Sequence, residues 1–171
     1  MKEIGIQIIG VIGYFLLAIS YYKNKKIDIL KIQIGAYFFF TIHYYLLNAI
    51  TGTICNILGL LSIIIIYLVE SKKERKKRNT FILGMIPVLV LIVFLTYENM
   101  YSVLPIIAST LSLISLLTDS ETTIRKIGII SAISWLLYAI IYKSYAAIVF
   151  EIITILSTTF AFLKMKKKTK N

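Results

Sequence analysis

Residues 50–69 read ITGTICNILGLLSIIIIYLV, and residues 71–79 read SKKERKKRN. The first stretch carries no charge and is about as long as a helix crossing the hydrocarbon of a bilayer. The second is a dense cationic block that hydrocarbon would exclude. A membrane helix that stops at a basic, water-facing loop is the simplest reading of the pair. The same alternation recurs along the chain.

Six further apolar runs have span character. They cover about residues 4–21, 29–47, 80–96, 101–117, 124–142 and 146–163. Asn48 to Gly52 reads as a tight turn before the third run, and residues 97–100 as another. The composition agrees: of 171 residues 58% are hydrophobic and 16% charged, with mean hydropathy +0.85. A soluble fold of this size could not hide so much apolar surface. The expected class is therefore an all-α integral membrane protein with seven transmembrane helices.

The net charge of +11 raises the question of nucleic acid. Its distribution answers against it, because the basic residues form blocks between apolar runs and no basic stripe is interleaved with aromatics. Placing the N-terminus outside puts Lys23, Lys25, Lys26, the bases of 72–78, Arg125, Lys126 and the lysine tail inside, and leaves Lys2 and Lys143 outside. That is the positive-inside pattern of a cytoplasmic-membrane protein with its C-terminus in the cytoplasm. The basic loop and tail are expected to meet anionic headgroups.

The chain also matches itself at an offset of about 95 residues. Gly10–Ser20 falls on Pro105–Ser115. Lys31 falls on Lys126, Phe40 on Trp135, His43 on Tyr138, Asn56 on Glu151 and Ser62 on Ser157. Two copies of three helices, joined directly, would be inverted, so a linker helix between them restores a parallel orientation. The expected organisation is repeat one over 1–69, a basic loop over 70–79, a linker helix over 80–97, repeat two over 98–163 and a basic tail over 164–171.

This layout resembles the SWEET and PQ-loop (MtN3-like) superfamily, most nearly its YgjV-type bacterial inner-membrane branch. The resemblance covers nearly the whole chain. In SWEET sugar carriers a tryptophan on the sixth span and asparagines on the third and seventh line the substrate site, and Trp135, Asn56 and Glu151 stand in those roles. The chain departs from the family where Glu151 replaces an asparagine and where the Pro-Gln signature is missing from the first and fifth spans. Of the family's flexing prolines only Pro105 has a counterpart.

Polar side chains in hydrocarbon are costly and face the bundle interior. Glu151 is the acid at the centre of the seventh span, where it is placed to bind a cationic or hydroxylated solute or to carry a proton. Ala147, Thr154 and Thr158 share its face, opposite Gly52, Asn56, Gly59 and Ile63 on the third. The expected substrate-binding set is Asn56, Glu151, Trp135, Tyr138 and His43, with Tyr138 and Trp135 forming an apolar wall. Each has a bland alternative: interhelical hydrogen bonding for Asn56 and Glu151, packing for His43, interface anchoring for the aromatics. The glycines serve close helix approach.

Catalytic and cofactor signatures are absent, with no H-E-x-x-H, G-x-S-x-G or phosphate-binding loop. One cysteine, Cys55, and one histidine cannot supply a disulfide or a metal cluster. The functional expectation is a non-enzymatic transporter of a small polar solute working by alternating access, with proton coupling through Glu151. The alternative is a receptor or assembly partner of the same fold, contacted through its basic loop or tail.

Overall fold

The structure, a computed structural model, describes residues 2–21, 23, 25–72, 75–97, 99–115, 117 and 121–168. Seven α-helices follow one another: α1 Lys2–Tyr21, α2 Lys26–Leu46, α3 Ile50–Ser71, α4 Arg75–Thr96, α5 Val103–Ser115, α6 Glu121–Ile141 and α7 Tyr145–Lys168. A 3-10 turn, Met100–Ser102, leads into α5 and is capped by the Asn99 side chain, which accepts from the Tyr101 amide. No strand occurs among the described residues.

Three of the helices are long and apolar enough to cross a membrane, with qualifying stretches at Glu3–Ser20, Ile50–Ser71 and Thr122–Ile141. Shorter apolar stretches lie on α4, α5 and α7, at Asn79–Ile92, Met100–Ser115 and Tyr145–Phe160. α2 carries Lys31, Gln33, Thr41 and His43 within its expected span.

The exterior is apolar, and polar side chains are buried among the apolar ones of the interior. Leu95, Phe160 and Ile4 are 73%, 70% and 66% exposed, while Ser20, His43, Thr51 and Ser144 are fully buried. Water would reward the opposite sorting. Hydrocarbon rewards this one, because lipid tails offer no hydrogen bonds and the interior can. Buried hydroxyls are satisfied locally: Thr41, Thr53, Ser112 and Ser134 each donate to the carbonyl one turn back, at 2.9, 2.9, 2.9 and 3.0 Å.

α2 packs against both α1 and α3, and α6 against both α5 and α7. α1 meets α7, α3 meets α5, and α4 leans on α3 and α5. Short connections make the partners of each hairpin antiparallel. One end of the bundle therefore holds the basic connections, and the other holds the turns at 47–49 and 142–144.

These two turns share one backbone design. Asn48 and Lys143 both take left-handed angles, φ 55° and 53°. Ala49 N–H donates to Tyr44 O and Asn48 N–H to Tyr45 O, at 3.0 Å each. Ser144 and Lys143 repeat the pattern onto Ala139 and Ile140 at 2.9 and 3.3 Å. This is a Schellman closure that satisfies the last carbonyls of α2 and α6.

Element edges differ from the sequence expectation. α4 begins at Arg75, inside the expected loop 70–79, and α7 runs to Lys168, inside the expected tail. Lysine and arginine are good helix formers, so a helix continues past the apolar run that identifies it. α3 starts at Ile50, within the expected Asn48–Gly52 turn. Residues 73 and 74 of the basic loop and 169–171 of the tail lie outside the described residues.

Candidate functional site

A cavity of about 370 Å³ lies between the helices. All seven contribute to its wall, from Tyr14 on α1 to Glu151 on α7. It reaches toward the basic end, past Leu17, Leu30, Ser62, Ile66 and Ser115.

Asn56, Trp135 and Glu151 all line this cavity. Asn56 sits one turn above Gly52 on α3 and donates its amide to the Gly52 carbonyl at 2.8 Å. That bond ties down the nitrogen and leaves Oδ1 without a partner among the described residues. Among the described residues Glu151 is the one charged side chain on the wall, and its carboxyl has no hydrogen-bond or ion-pair partner there. Thr154, one position on from Glu151's own turn, turns its hydroxyl back to Phe150 O at 3.0 Å.

Aromatic rings surround this polar centre. Tyr14 stacks on Phe150 with centroids 4.4 Å apart and meets Phe40 at 4.6 Å. Tyr44 meets Trp135 at 5.6 Å. The Tyr44 hydroxyl is buried without a hydrogen bond within 3.5 Å, with the Tyr14 and Ser144 hydroxyls as its polar neighbours.

Sequence reasoning did not reach the α1 contribution, Tyr14, or the α2 aromatics Tyr37 and Tyr44. The 95-residue offset carried the missing signal. Wall residues pair at that offset: Tyr14 with Ser109, Leu17 with Ser112, Gln33 with Gly128, Tyr37 with Ala132, Phe40 with Trp135, Cys55 with Phe150, Asn56 with Glu151 and Gly59 with Thr154.

Tyr138 and His43 are placed elsewhere, beyond the cavity toward the turn end. Both are fully buried. The Tyr138 hydroxyl accepts from the Gly52 amide at 2.9 Å, so α6 is tied to the first turn of α3. Gly52 has to be glycine for this contact, since a Cβ there would meet the Tyr138 ring at 2.5 Å. The His43 ring is held from two sides, by Ser144 Oγ at 2.6 Å and by the Ile6 carbonyl at 2.8 Å. Gly10 makes room for it, because a Cβ there would meet that ring at 2.8 Å. Gln7 adds two bonds of the same kind, donating to Lys143 O at 3.0 Å and accepting from Ala146 N at 3.2 Å. The turn end is thus a hydrogen-bonded plug over the cavity.

A family model described as Imp-YgjV, bacterial inner membrane protein, matches residues 4–169. No curated protein and no solved structure matches the chain. Helices apolar enough to cross a membrane, and a match over nearly the full length, agree: the chain belongs to the Imp-YgjV family of bacterial inner membrane proteins.

Proposed function

We propose that the protein is a seven-span transporter that moves a small polar solute by alternating access through the central cavity, with Glu151 available for proton coupling. The carrying observation is the cavity itself. Its polar centre is a paired position of the two halves, Asn56 and Glu151, and it is plugged at one end.

In this reading α1–α3 and α5–α7 are parallel repeats and α4 is the linker that lets them be parallel, as in other transporters built from repeated units. The interhelix contacts support it, since α1 against α7 and α3 against α5 are the same contact under exchange of the repeats. The paired turns and the paired wall residues support it further. With the basic end in the cytoplasm, the cavity faces inward and the His43 and Tyr138 bonds close the outer side. These two residues occupy equivalent positions, and each reaches across to the start of the other repeat's third helix. The substrate would meet Glu151, Asn56 and Trp135, while His43 and Tyr138 would form the outer gate rather than the wall.

Uptake into proteoliposomes tests this. Saturable uptake from a panel of labelled sugars, amino acids and organic cations is expected for the wild type. Glu151→Gln and Asn56→Ala are expected to reduce it at least about tenfold, since the first removes the ionisable carboxyl and the second a buried hydrogen-bonding partner of the solute. A pH gradient should drive it if the carboxyl carries the proton. Folded, oriented protein that moves nothing on the panel would contradict the proposal and favour a receptor or assembly role.

A further inference from the structure

We infer that the cavity selects a small organic cation bearing an ammonium group. The inference deepens the transport reading, since it concerns the same cavity, but it rests on the wall's chemistry and is tested by binding alone.

The first observation is an acid with no basic partner. Among the described residues Glu151 is the one acid on the wall, and no lysine or arginine lines the cavity. A carboxyl enclosed without a countercharge is costly to ionise, and a cationic ligand offsets that cost. A sugar supplies no countercharge, and an anion would oppose ionisation. The second observation is the cage. Tyr14, Phe40, Tyr44, Trp135 and Phe150 all line the cavity, with Tyr14 packed on Phe40 and Phe150 and Tyr44 beside Trp135, so that its wall is largely aromatic. Several rings converging on one volume hold an ammonium group through cation–π attraction, which strengthens where water is excluded. The third is the sense of the hydrogen bonding. Asn56 uses its amide nitrogen on its own helix and presents Oδ1, an acceptor, as does Glu151. The polar centre therefore offers acceptors to a donor-bearing or positively charged guest.

Trp135 is the chain's only tryptophan, so its fluorescence reports on this cavity alone. Purified full-length protein in lipid nanodiscs would be titrated with choline and with 3,3-dimethylbutanol, its neutral isostere, and with glucose. Choline is expected to give a saturable change, and the isostere and glucose to bind at least tenfold more weakly. In Glu151→Gln the preference for choline over the isostere should collapse toward unity. In Phe150→Leu choline should weaken while the isostere does not. Equal binding of choline and isostere by the wild type would overturn the inference. So would an unchanged preference in Glu151→Gln, tighter binding of glucose, or no saturable response to choline. Choline binding without any uptake would keep this site and defeat the transport reading; uptake of neutral solutes without cation preference would do the reverse.

Discussion

At the residue scale the chain separates two kinds of buried polar group. Asn56 and Glu151 keep acceptor atoms free beside a cavity, whereas His43 and Tyr138 spend theirs on backbone and hydroxyl partners across the bundle. The first kind is poised to meet a guest and the second to hold helices. Tyr138→Phe should leave the ring packing intact and orphan the Gly52 amide. The expected loss is about 1–2 kcal/mol, seen as a lower thermal midpoint in nanodiscs. If the bond is part of a closed outer gate, the same variant should also make the turn end more accessible to water-soluble thiol reagents. An unchanged midpoint would mean that the hydroxyl contributes nothing to closure.

Glu151, Asn56 and Trp135 could be picked from the sequence because a polar or bulky group at mid-span stands out against isoleucine and leucine. The roles of His43 and Tyr138 could not. Their equivalence was legible in the offset, but whether a residue near a span end faces the cavity or the seam beside it depends on helix rotation. Lipid-facing and core-facing positions are both apolar here, so periodicity gives little phase. Tyr14 and Tyr44 were hidden for the same reason, being tyrosines in a chain that has 12.

At the element scale the informative pieces are the two turns. Asn48 accepts the left-handed backbone readily, and Lys143 accepts it against its Cβ. Lys143→Gly should therefore stabilise the protein by about 0.5–1 kcal/mol, since the relief exceeds glycine's extra unfolded-state freedom. Lys143→Val should do the opposite, because a β-branched residue fits that region worst. Thermal midpoints of the two variants check the sign. A fall with glycine would show that the side chain, rather than the backbone, holds the turn. The sequence signalled the first turn through Asn48. At the second, Ile-Tyr-Lys-Ser lacks glycine and asparagine; the break between the apolar runs marked its place, and only the offset pointed to its shape. Helix edges were misread at α4 and α7 because the hydrophobic boundary marks the membrane, and the helix need not stop there.

At the scale of the whole molecule, the seven helices and the apolar exterior were legible from hydropathy alone, since lipid leaves the backbone few options. The cavity was not, because its volume depends on how the helices lean together, with glycines 10, 13, 52 and 59 letting rings pack against backbone. The proposed alternation of two repeats asks the plug at the turn end to open while the basic end closes. Bonds of the kind that tie His43 and Tyr138 are weak enough in membrane interiors, averaging below about 1 kcal/mol each, for such an equilibrium to be reached.

Spin labels at Ile50→Cys and Ile140→Cys, in a Cys55→Ser background, sit on exposed positions of α3 and α6 on either side of the Tyr138–Gly52 contact. Their distance, measured by pulsed electron resonance in nanodiscs, tests the alternation directly. A short-distance population is expected in the resting protein, together with a second population several ångströms longer that is enriched by combining His43→Ala with Tyr138→Phe. A single distance that neither the gate variants nor choline shifts would contradict alternating access and leave a rigid bundle with a blind cavity.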